Sequence, residues 1–271
     1  MDEVLRPPAA RWVSEPIRAV RSAAAGWDLL LVSVAVYIAT AVGRIHQLFP
    51  VLLPLKLAFL SAVLAIGLLL LQQSGQRSVG LLRSPTTAYW LGLLVWGALS
   101  VIGALNQGLA FQTWTGLVQI VVMGLVIAAS VRDVRDIERL TLVYFSVTVV
   151  YTAVVLSRFQ LGADIGADSW RLGRLYYYDA NDLATLITTA MPMGLYFVLT
   201  QRRPLLRVLA AAGLAVLAVG VIRSGSRGGF LALLAVTAFV LLRFTTVPAR
   251  ARAGALIVIL VVAAITANDR Y

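Results

Sequence analysis

Between two apolar runs the chain carries RSGSRGGFLALLAV, residues 223–236, with two arginines and three glycines. A guanidinium offers a planar fork of donors that matches pairs of phosphate oxygens. Ser226 is of the type that caps helix starts, and a helix starting there presents unpaired N–H groups, a ready anion site. Gly228 and Gly229 carry no side chain to hold a ligand off the backbone. These residues predict a receptor for an anionic headgroup, with Arg227, Ser226, Gly228 and Gly229 as its parts. Arg223 has two readings: it ends the preceding helix, where a cation offsets the dipole, or it is a second headgroup contact. Arg227 falls at the positive end of its own helix dipole, where the dipole gives no reason for a cation.

A second helix start lies upstream, in DANDLATL at 179–186. Asp179 or Asn181 can cap it, Asn181 is also a candidate contact for the anionic headgroup, and Asp182 complements its positive end. The preceding loop, 157–180, holds Arg171 and Arg174 among Asp164, Asp168, Trp170 and three consecutive tyrosines. The aromatics suit an interfacial belt, while the arginines are further candidate phosphate contacts. Lys56, the only lysine, either snorkels to the surface or makes another such contact. His46 is the only histidine and there is no cysteine, so a multi-histidine or thiolate metal centre is excluded and no cofactor is expected. His46 itself reads as an interfacial polar residue.

The elements that must position these residues are membrane helices. The chain is 60% hydrophobic with a mean hydropathy of +0.88 and only 13% charged residues; a soluble domain carries about 25%. Nine apolar runs near spanning length occur at about 27–43, 49–71, 87–105, 114–131, 140–156, 182–200, 205–222, 229–242 and 253–267. The expected fold is all-α and polytopic, with about nine transmembrane helices, a basic tail at 1–26 and a transmembrane helical domain at 27–271. Alternate loops hold fifteen arginines on one side and seven on the other. The positive-inside rule makes the richer side cytoplasmic, which places the N-terminus inside, the C-terminus outside and the 223–229 seam outward. The formal net charge of +11 thereby finds a use in orientation, and nucleic acid is not called for.

The pair YYYDANDLATLITTAMPMGLYFVL and SGSRGGFLALLAV resembles the O-antigen ligase and O-antigen polymerase superfamily of bacterial envelope proteins. Asn181 and Asp182 match an Asn-Asp helix start, and Ser226, Arg227 and Gly228 match a Ser-Arg-Gly element one hairpin later. The resemblance covers mainly residues 176–245. It implies a multi-pass protein of the bacterial inner membrane and a metal-independent glycosyltransferase. Such an enzyme moves glycan from an undecaprenyl-diphosphate carrier to a lipid, glycan or protein acceptor in the periplasm, as in lipopolysaccharide and other cell-envelope polysaccharide biosynthesis. Arg227 would hold the donor diphosphate and stabilise it as leaving group. The family also implies a later periplasmic loop with a catalytic histidine. No histidine here matches it, so the expectation is an incomplete ligase that binds its carrier lipid without transferring glycan.

Two other classes fit the composition. A polysaccharide or lipid transporter or flippase would line its route with the outward arginines. A non-catalytic assembly subunit would need no base at all.

Overall fold

The structure is a computed structural model describing residues 26–44, 49–71, 84–158 and 180–243. Among these residues every regular element is helical: α1 (Leu29–Gly43), a 3-10 turn (Pro50–Leu55), α2 (Leu57–Leu71), α3 (Pro85–Ile102), α4 (Gln107–Ser130), α5 (Val134–Arg158), α6 (Ala180–Thr200), α7 (Pro204–Ser224) and α8 (Arg227–Arg243). Six stretches are long and apolar enough to cross a membrane: Val51–Leu71 and helices α3 to α7. The chain has the make-up of a multi-pass helical membrane protein. Helices α1 and α8 also fall on expected apolar runs but are shorter. The run at 253–267, the tail at 1–25 and the loop residues 159–179 lie outside the described residues.

Local chemistry sets the helix limits. The Asp28 carboxylate accepts the Leu31 N–H at 2.8 Å and starts α1. Arg44, at φ 44°, follows its last residue. The fifteen residues between reach about 22 Å at 1.5 Å per residue, less than a bilayer core. The run at 49–71 is not one helix. Pro50 and Pro54 lack N–H donors, so the chain enters as a 3-10 turn. Lys56 ends that turn at φ 42°, ψ 45°, and its carbonyl accepts the Leu60 N–H of α2. Lys56 therefore sits at a joint rather than along a continuous span. Elsewhere Pro85 and Pro204 open α3 and α7, where a missing N–H costs nothing, and Asn106 caps α4 through the Leu109 N–H at 3.0 Å.

The chain divides into two compact units. The first comprises the described residues up to Val34 with those of Ala62–Ile137. Here α3 and α4 pair across a short turn. The Trp90 ring occupies the space beside Gly124, where a Cβ would meet it at 2.5 Å. The Trp114 indole donates to the Leu94 carbonyl at 3.0 Å.

The second unit comprises Ala35–Ser61 and the described residues from Glu138 onward. Its core joins α5, α6 and α7 through Phe145, Tyr151, Leu183, Ile187, Phe197, Leu217 and Val221. Lipid is as apolar as leucine, so close packing must hold such helices together, and small residues make it close. Gly194 of α6 and Gly213 of α7 both face the Phe145 ring, at 2.4 and 2.9 Å from where a Cβ would stand. Gly220 admits Thr152 and Ile187 in the same way. This trio carries the ends of α6, α7 and α8 that form the seam.

Candidate functional site

Helix α7 stops where Gly225 takes the left-handed conformation at φ 59°, with its N–H on the Ile222 carbonyl. A residue with a Cβ is disfavoured there, which makes glycine the natural stop. Ser226 then caps α8. Its Oγ accepts the Gly229 N–H at 3.0 Å, and its carbonyl accepts the Phe230 N–H at 3.0 Å. The Ser226 N–H donates to the Ser224 Oγ at 3.3 Å, and Ser224 donates to the Val221 carbonyl at 2.7 Å. Ser224 and Ser226 are both buried. A stop, a cap and a restart thus occupy two residues.

The Ser226 hydroxyl proton goes to a different helix. It donates to Asn181 Oδ1 at 2.7 Å, across 45 residues of sequence. Asn181 stands in the first turn of α6, inside the helix rather than at its cap, beside Asp182. One turn further along α6, Ala184 fills the space beside Gly229, whose Cβ would stand 2.3 Å from that of Ala184. The starts of α6 and α8 therefore lie together.

The candidate residues divide into two groups. Arg227, Gly228, Arg223 and Asn181 are exposed. Arg227 is the first residue of α8, and the nearest side chain to a Cβ at Gly228 is the Ser226 Oγ at 3.9 Å. Arg223 is the basic residue in the last turn of α7, where it also offsets the dipole. Ser226 and Gly229 are buried, and their groups are engaged within the protein. Gly229 serves helix contact, and the open backbone belongs to Gly228. Lys56 is exposed beside a cavity of about 310 Å³ lined by Lys56, Leu57, Ala58 and Phe59. Among the described residues no hydrogen bond links it to the seam. Arg171 and Arg174 lie outside the described residues, as do His46, Asp164, Asp168 and Asp179.

Arg227 stands in the first turn of α8, at the positive end of the helix dipole, and the first turn of the adjoining α6 carries the exposed Asp182. Among the described residues no group of three or more His, Asp or Glu side chains could hold a metal ion.

Sequence reasoning missed Ser224 and Ala184. The Ser-Gly-Ser pattern signals a helix stop and restart, but nothing local names Ala184 as the partner of Gly229. No protein-family model matches the chain, and no curated protein or solved structure matches it.

Proposed function

We propose that the chain is an O-antigen-ligase-like membrane protein that binds a polyprenyl-diphosphate-linked glycan at the 223–229 seam and takes part in its transfer to an acceptor. The membrane face of the seam is the periplasmic one, and the process is cell-envelope polysaccharide biosynthesis. One observation carries the reading: the Ser226–Asn181 hydrogen bond joins two helix starts while leaving Arg227 and Gly228 exposed beside them. Phosphate is the ligand such an end favours, because N–H donors and dipole both point at it. Arg227 adds a bidentate fork, and stabilising the departing diphosphate is charge stabilisation where charge develops. The apolar surface of the flanking helices suits a polyprenyl tail.

The experiment compares ligands that differ only in charge. Purified protein in lipid nanodiscs is titrated with undecaprenyl diphosphate and with undecaprenol, and glycan transfer from a labelled carrier is followed in parallel. The reading expects the diphosphate to bind at least tenfold tighter, a difference in the range of one charge-assisted contact. Equal binding of the two lipids overturns it. Carrier flux into sealed liposomes without any transfer favours a transporter instead.

A further inference from the structure

Ser226 is poorly placed to meet a ligand. It is 4% exposed, and each of its polar groups already has a partner: Ser224 for the N–H, Phe230 for the carbonyl, Asn181 and Gly229 for the hydroxyl. Asn181 is exposed, but its amide oxygen is committed to Ser226. We infer that Asn181 is a positioning residue: through the Ser226 hydroxyl it fixes where Arg227 and the Gly228 N–H stand relative to the start of α6.

The geometry supports this in two steps. Ser226 is the cap of α8, so whatever fixes its side chain fixes the direction in which α8 begins. Arg227 and Gly228 follow directly and have no freedom to drift once Ser226 is pinned. The pin has a second contact one turn away, Ala184 against Gly229, at a separation that admits no added methyl. Two contacts one turn apart define both a position and an angle. A single contact leaves the angle loose.

The inference rests on the reading of the seam as a diphosphate site. It adds that affinity depends on a residue whose oxygen never faces the ligand. Productive geometry at such sites must be held within about half an ångström by supporting hydrogen bonds.

The test separates the pin from the site. The chain has no cysteine, so Thr185 and Leu231, both exposed, are replaced by cysteine and spin-labelled, and the α6–α8 distance is measured by pulsed electron resonance. The same protein is titrated with undecaprenyl diphosphate in nanodiscs. Asn181→Ala is expected to broaden the distance distribution and weaken the lipid about threefold to tenfold, the range of one lost hydrogen bond. Asn181→Asp keeps an acceptor for the Ser226 hydroxyl and is expected to restore the narrow distribution. An unchanged distribution in Asn181→Ala overturns the pin whatever the binding does. A broadened distribution with unchanged binding leaves the pin standing and overturns the positioning role, whereas the diphosphate site itself falls only if the parent binds undecaprenyl diphosphate no tighter than undecaprenol.

Discussion

Arg132 grips the fully buried Asp136 with two nitrogens, Nε at 2.8 Å and Nη2 at 3.1 Å. The same guanidinium reaches Asp28 Oδ2 at 3.2 Å and the Gly26 carbonyl at 3.1 Å. Asp28 caps α1, and Asp133 caps α5 through the Asp136 N–H at 3.0 Å. One arginine in the α4–α5 turn therefore ties down the start of α1. The hydrogen bond to Asp136, opposed by burial, holds the Arg132 pKa above its ordinary value. Arg132 thus stays charged at any working pH.

Asp136→Ala removes two charge-assisted hydrogen bonds from a guanidinium that keeps Asp28, and is expected to lower stability by about 1.5–3 kcal/mol. Asp28→Ala removes an exposed-side contact and a cap, for about 1–2 kcal/mol. Unfolding followed by tryptophan fluorescence in detergent ranks the two. Equal losses, or a larger loss at Asp28, would show that the network is not centred on Asp136.

The two adjacent glycines of the seam are expected to behave differently. Gly229→Ala drives a Cβ into that of Ala184, and overpacking of this kind costs about 1–3 kcal/mol. Ala184→Gly in the same chain should recover most of it. Gly228→Ala meets nothing closer than 3.9 Å and should leave stability unchanged. The measurement is again the unfolding midpoint, and similar values for both glycine variants would contradict the close α6–α8 approach.

The helices were largely legible because a bilayer imposes a length and a polarity that the sequence displays openly. The joint at Lys56 was signalled by Pro50 and Pro54, but hydropathy alone ran straight through it. Arg132 looked like one more orienting charge, although its spacing to Asp136 and the Asp133 cap were in plain view. What a single sequence hides is pairing across distance. Nothing near Ser226 points to Asn181, and nothing near Gly229 points to Ala184. Gly229 reads as open backbone in the sequence, because a packing glycine and a ligand-facing glycine look alike until the neighbouring helix is placed.

Orientation is expected to follow the arginine count. Leu105, in the α3–α4 turn, and Arg202, in the α6–α7 turn, are both exposed and fall on opposite sides of the expected arrangement. A single cysteine at Leu105 should react with an impermeant maleimide added outside intact cells. One at Arg202 should react only after the membrane is opened. The reverse pattern would turn the seam inward and remove it from the periplasm.

Arg227 is expected to matter through shape as much as charge. Arg227→Ala should weaken undecaprenyl diphosphate about tenfold to a hundredfold, corresponding to roughly 1.5–3 kcal/mol for a charge-assisted contact. Because Arg227 is exposed at a helix start, the variant should insert and fold as the parent does. Arg227→Lys keeps the charge but offers an ammonium in place of a planar fork, so it should recover only part of the affinity. Arg223→Ala should fall between, because Arg223 also serves the C-terminal end of α7. Titration of each variant in nanodiscs gives the order. If Arg227→Lys binds as tightly as the parent, the contact is a point charge and the bidentate geometry is wrong. If Arg227→Ala does as well, the seam is not where the diphosphate sits.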